Sequence, residues 1–109
     1  MNVQQCMPAF DEETFGPVLS IIAASDEREA IRLANASRYD LGANIWTKNI
    51  DKGIALAKQV NSGAVFINSM VKSEPALPFG GVKKSGYGRE LSKHGIMEFV
   101  NAKTITVTE

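Results

Sequence analysis

Hydrophobic and polar positions follow two rhythms along the first two thirds of this chain. Residues 18–23 are Val-Leu-Ser-Ile-Ile-Ala, a nearly continuous apolar run. Such a run predicts a strand covered on both faces, as in a parallel sheet. Ser25-Asp26-Glu27-Arg28-Glu29 then changes the period: Asp26 can cap the exposed amides of a first turn, and Glu29, three residues on, can reach back. Ala30, Ile31, Leu33 and Ala34 continue at helical spacing, which predicts a helix over 26–37. Residues 43–47, Ala-Asn-Ile-Trp-Thr, read as a second strand. Asn49 caps a second helix that places Ile50, Ile54, Ala57 and Val60 on one side, and Asn61-Ser62-Gly63 ends it. Residues 64–68, Ala-Val-Phe-Ile-Asn, make a third buried strand. The expected fold class is therefore α/β: a β-α-β-α-β unit whose right-handed crossovers give a parallel sheet.

The pattern is different elsewhere. Residues 1–12 read as irregular, with Pro8 confining Met7 to extended conformations. Residues 69–78 form a loop without periodicity. The next stretch, 77–90, holds four of the nine glycines, so it makes tight turns or brings backbone close to something. A third helix is expected over 90–100. Residues 103–108 alternate polar and apolar, predicting a half-buried strand at a sheet edge or in a partner's sheet.

At 109 residues the chain is one domain at most. It is 44% hydrophobic, enough to build a core and too much for a disordered tail. Twelve basic and twelve acidic residues cancel, which removes any electrostatic reason to expect a nucleic acid or an anionic membrane as partner. There is no long apolar run and no charged-then-apolar leader after Met1. A single cysteine excludes an internal disulfide and fits a reducing compartment, so a cytoplasmic location is expected. One cysteine and one histidine leave no basis for a zinc cluster, and no metal is expected.

Candidate chemistry is sparse. Gly86-Tyr87-Gly88-Arg89-Glu90-Leu91 starts like a dinucleotide fingerprint but has leucine where the third glycine belongs. Gly81-Val82-Lys83-Lys84-Ser85 lacks the glycine directly before the lysine of a phosphate-cradling loop. Cys6 has no base near it in sequence, and His94 has no acid to orient it; both read as surface residues. Glu13 and Phe15 are more informative. Two apart in extended chain, they share a face. A carboxylate can accept two hydroxyl hydrogen bonds, as a ribose diol requires, and a ring beside it can pack on a flat heterocycle.

Three segments together resemble one family. Glu12-Glu13-Thr14-Phe15-Gly16-Pro17-Val18, then Glu29-Ala30-Ile31 with Ala34-Asn35, then Pro78-Phe79-Gly80-Gly81-Val82-Lys83-Lys84-Ser85-Gly86-Tyr87-Gly88-Arg89-Glu90 look like the C-terminal part of an aldehyde dehydrogenase. Their order and separation match, and the resemblance runs from Met7 to Val107. Within the family the chain is most similar to succinate-semialdehyde dehydrogenases.

The resemblance implies oxidation of an aldehyde to the carboxylic acid with NAD or NADP. In the family a cysteine thiolate adds to the aldehyde, hydride leaves to the nicotinamide, and water hydrolyses the thioester. Glu13 matches the glutamate that holds the nicotinamide-ribose hydroxyls, and Phe15 the aromatic beside that ribose. Phe79 matches a ring of the aldehyde pocket. Ser73 falls where succinate-semialdehyde dehydrogenases bind the substrate's distal carboxylate. The family's nucleophile and general base lie upstream of Glu-x-Phe-Gly-Pro, and Cys6 is too close to Glu13 to be that nucleophile. The expectation is a fragment that carries cofactor and substrate walls without catalytic residues. Residues 1–102 would belong to the catalytic domain, and 103–109 would be the C-terminal strand of the oligomerisation region. A homo-oligomer is implied; the alternative is a non-catalytic interaction module assembling through that strand.

Overall fold

A parallel strand pair bridged by a helix stands at the centre of the chain. The structure is a computed structural model and describes residues 3–109. Strand β2 (Gly42–Ile45) pairs in parallel with β3 (Ala64–Ile67), in a register that runs from Gly42 opposite Ala64 to Ile45 opposite Ile67. Helix α3 (Ile50–Ala57) makes the crossover between them and packs on β3. Asn49 caps α3, its side chain accepting from the Lys52 amide at 2.9 Å. Gly53 is the helix residue buried against the sheet; a Cβ there would come within 2.9 Å of Thr47 Cγ2 and 3.2 Å of Ile67 Cγ2.

Before this unit come α1 (Pro8–Asp11) and α2 (Glu27–Asn35). Asp26 caps α2 by accepting from the Glu29 amide at 2.7 Å. The Glu29 carboxylate turns back to the Ser25 amide and hydroxyl. The Ser25 hydroxyl first, then the Ser25 amide, together with the Arg32 cation, hold the Glu29 pKa below the usual carboxylate range. At the far end, Asn35 donates to the Gln59 carbonyl and accepts from the Asn61 amide, both at 2.8 Å, which fixes α2 to the exit of α3. A second sheet joins β1 (Tyr39–Asp40) to β4 (Val82–Lys83) in antiparallel pairing. Helix α4 (Ser92–Met97) follows.

Several expectations need correction. The βαβαβ unit reduces to one βαβ, because 18–23 forms no strand. Leu19 and Ile21 there are 84% and 73% exposed. The one hydrogen bond that Ser20's side chain makes is from its hydroxyl to the Ala9 carbonyl at 2.6 Å. A strand needs a neighbour for its ladder, and none of the described residues supplies one. The tail at 103–108 is likewise irregular, with Ile105 78% and Val107 86% exposed. Of the stretch 1–12, residues 1 and 2 lie outside the described residues, and the rest is more ordered than expected: Pro8, with no amide to satisfy and φ already set, takes the first position of α1. Helix α4 is shorter than 90–100. Glu90 is paired with Phe79, and Leu91 and Ser92 have positive φ (61° and 51°), so the helix begins only at Ser92.

The surface is large for this mass. A compact monomer of 11.8 kDa exposes about 5,900 Å², whereas this chain exposes 8802 Å². Its radius of gyration is 18.0 Å, against about 13 Å for a compact domain of similar length. No hydrophobic side chain among the described residues is fully enclosed. Apolar side chains left in water at this density favour self-association. The melting temperature of the isolated chain is therefore expected to rise with protein concentration, by about 4 °C per tenfold. Calorimetry at two concentrations, with sedimentation alongside, checks this; a concentration-independent transition of a monomer would contradict it.

Among the described residues no helix is long and apolar enough to cross a membrane.

Candidate functional site

The glycine-rich stretch is held as a closed turn by its own backbone. Phe79 and Glu90 exchange both main-chain hydrogen bonds, at 2.9 and 2.7 Å. Inside that pair, Gly88 (φ +66°) turns the chain, and the Arg89 guanidinium donates to the Gly81 and Gly88 carbonyls at 3.0 and 2.6 Å. The turn sits against the start of β3: the Gly80 carbonyl lies where a side chain on Gly63 would be. Lys84 N–H donates to the Arg38 carbonyl and the Ser92 amide to the Pro75 carbonyl, each at 3.0 Å, which fastens both flanks.

This framing leaves Phe79 half-buried between two open clefts. The larger, about 760 Å³, lies between the glycine-rich turn and α4, with Tyr87, Arg89, Ile96 and Phe99 on its walls. The smaller, about 480 Å³, runs along β3 under the 69–78 loop, lined by Phe66, Ser69, Lys72, Glu74 and Leu77 besides Phe79. Both are mostly apolar with a few charged groups at the rim, the usual character of a small-molecule site.

The four expected site residues do not all meet. Phe79 forms a cleft wall. Ser73 is exposed on the loop over the smaller cleft; its neighbours Lys72 and Glu74 line that cleft and face each other at 3.5 Å, while Ser73 itself is not among the lining residues. Glu13 is exposed, and its carboxylate has no hydrogen-bond partner among the described residues. Phe15 is 89% exposed. Neither Glu13 nor Phe15 lines a cleft that contains Phe79. Lys72, which the sequence did not single out, lines the smaller cleft and is paired with Glu74.

A parallel βαβ unit thus leads through the 69–78 loop to the glycine-framed Phe79 on the wall of both clefts, an α/β arrangement. Residues 1–105 match the aldehyde dehydrogenase family, and this chain belongs to that family. It is 48% identical over 106 residues to the NADP(+) succinate-semialdehyde dehydrogenase 1 of Mycobacterium ulcerans, an alignment covering 97% of this chain and 23% of that protein. Among solved structures it is similar to the succinic semialdehyde dehydrogenase of Streptococcus pyogenes in complex with NADP+. The TM-score is 0.92 at 45% identity, over 98% of this chain and 24% of that one. It is also similar to a salicylaldehyde dehydrogenase of Pseudomonas putida G7 complexed with salicylaldehyde, with TM-score 0.91 and 38% identity, over 98% and 22% of the two chains. The chain thus spans about a quarter of the length of the relatives it matches.

Proposed function

We propose that this chain is the C-terminal part of an NAD(P)-dependent aldehyde dehydrogenase subunit, acting on succinate semialdehyde to give the carboxylic acid. The observation that carries it is the 45% identical overlap, along nearly the whole chain, with a semialdehyde dehydrogenase solved with NADP+. The large exposed apolar surface supports a part that an upstream segment completes. In that completed subunit, 18–23 and 103–108 gain ladder neighbours and become the outer strands of the βαβαβ sheet and of the oligomerisation region. Residues 1–102 then belong to the catalytic domain, and the subunits form a homo-oligomer in the cytoplasm.

Glu13 accepts the two ribose hydroxyls next to the nicotinamide, and Phe15 packs beside that ribose. Phe79 walls the aldehyde pocket and keeps water from its apolar side. Ser73 donates its hydroxyl to the distal carboxylate of the substrate. The cofactor, when bound, supplies the hydride acceptor. The nucleophilic cysteine and the general base come from the upstream segment, and Cys6, an exposed thiol in a terminal turn, takes no part.

Ser73→Ala in the complete subunit tests the substrate assignment. Losing one hydrogen bond to a charged group is expected to raise the KM for succinate semialdehyde about tenfold. The KM for butanal, which has the same carbon chain and no carboxylate, should stay unchanged. Equal effects on both aldehydes, or none on either, would remove the carboxylate role.

A further inference from the structure

We propose that Lys83 is a positioning residue for Phe79. Its ammonium reaches back across the second sheet to helix α2. There Nζ donates to the Asn35 and Ser37 carbonyls, each at 2.8 Å. The third neighbour is Asp40 Oδ2 at 2.5 Å, close enough for a strong charge contact although off the line of a directed hydrogen bond. Two of the ammonium's three N–H donors therefore go to backbone carbonyls, and the Asp40 carboxylate balances its charge. Those carbonyls close α2, and a cation there also meets the negative end of the helix.

Asp40 extends the hold beyond this one contact. Its side chain is only 10% exposed and Lys83 is the cation against it. Its amide donates to Ser85 Oγ at 2.9 Å, and its carbonyl accepts from the Gly63 amide at 3.2 Å. Gly63 in turn is the residue against which the Gly80 carbonyl rests. A continuous set of contacts therefore runs from α2 through Lys83 and Asp40 to Gly63, Gly80 and the Phe79–Glu90 pair. Lys83 also sits at φ 54°, a left-handed conformation that a lysine adopts only where surrounding contacts hold it. The ring that separates the two clefts is thus registered from the far side of the turn, by a residue four positions away that touches neither cleft.

Amide hydrogen exchange on this 109-residue chain tests the proposal, with Lys83→Met compared against Lys52→Met. Lys52 pairs with Glu27 at the surface and serves as the matched loss of a lysine. Lys83→Met is expected to speed exchange at the Phe79 and Glu90 amides about tenfold, while the Asn68 amide at the end of the β2–β3 pair changes less than about twofold. Lys52→Met should leave all three alone. Equal acceleration at all three amides, or none, would overturn the proposal. If Lys83→Met leaves no protected amides, Asp40→Asn is read by the same criteria: it removes one charge and keeps the shape. The consequence for aldehyde binding rests on the function proposed above and is measured separately. In the complete subunit, Lys83→Met should raise the aldehyde KM about tenfold, with the cofactor KM unchanged. Lys83→Arg should not restore it, because a planar guanidinium does not match three converging oxygens. Selective exchange with an unaltered aldehyde KM would uphold the positioning role and overturn the placing of Phe79 in the aldehyde pocket.

Discussion

Incubated alone with succinate semialdehyde and either NAD or NADP, the 109-residue chain is expected to produce no reduced cofactor above a protein-free blank. Adding the upstream part of the subunit, by co-expression, should bring turnover from nothing to a measurable rate. Thioester chemistry needs a thiolate with a base within hydrogen-bond reach, about 2.6–3.2 Å or one water away. Cys6 is the chain's only thiol, and it stands exposed in a turn with φ 70° near the start of the described residues. Glu13 and Phe15 lie open to solvent and line neither cleft described above, and an open site cannot exclude water from a reacting aldehyde. Absorbance at the reduced-nicotinamide band measures the outcome directly. Turnover by the chain alone sinks the idea, whether or not it survives Cys6→Ser: if lost, Cys6 is the nucleophile, and if kept, another group is.

Gly63→Ala should be the most damaging single substitution for the fold. The new Cβ would overlap the Gly80 carbonyl oxygen and lie 2.9 Å from the Leu41 carbonyl oxygen. Both obstacles are backbone, so no rotamer change relieves them. The chain must open either the β3 start or the glycine-rich turn, at an expected cost of about 3 kcal/mol. For a chain with so little enclosed apolar surface this is a large fraction of total stability. Gly16→Ala provides the contrast. Nothing lies within 4 Å of its Cβ position, and the cost is confined to backbone strain at φ +109°, about 1 kcal/mol. Chemical denaturation of the two variants decides the matter. Similar midpoints would mean that the close approach of Gly63 and Gly80 is not what holds the turn.

The middle of the molecule was legible in its sequence because its signals are local. Asp26 and Asn49 each cap the helix that their position announces. The apolar run at 64–68 forms β3 and pairs in parallel with β2 across α3, as a short crossover requires. What failed depends on partners outside the local window. Residues 18–23 and 103–108 carry good strand patterns, yet a pattern specifies a face and not a neighbour, and among the described residues no neighbour is present. The two-residue strands β1 and β4 are too short to leave a period at all. Helix α4 was overextended because Glu90 looks helical in sequence while its amide and carbonyl are committed to Phe79.

The site was legible as residue types and much less as geometry. Phe79 and Ser73 were singled out by resemblance alone, and the structure puts Phe79 on a cleft wall and Ser73 on an exposed loop. Glu13 and Phe15 were singled out by their spacing and chemistry and then by resemblance, and the structure leaves both facing solvent. Lys83 could not have been recognised from spacing: its partners Asn35, Ser37 and Asp40 lie more than forty residues earlier, and only the fold brings them to one ammonium.

Asn68 gives the 69–78 loop a fixed point of departure. Its side-chain amide accepts from the Thr47 amide and donates to the Thr47 carbonyl, both at 2.8 Å, copying the paired bonds of one more strand residue. The chain therefore leaves β3 from a fixed point, and it re-enters fixed structure at the Phe79–Glu90 pair. Between these two moorings, residues 69–78 are held at Pro75, whose carbonyl accepts from the Ser92 amide, while Lys72 and Ser73 stay exposed. On the function proposed above, a change at Ser73 would then alter what the loop offers an aldehyde while the β2–β3 pair and the Phe79–Glu90 pair stay as they are.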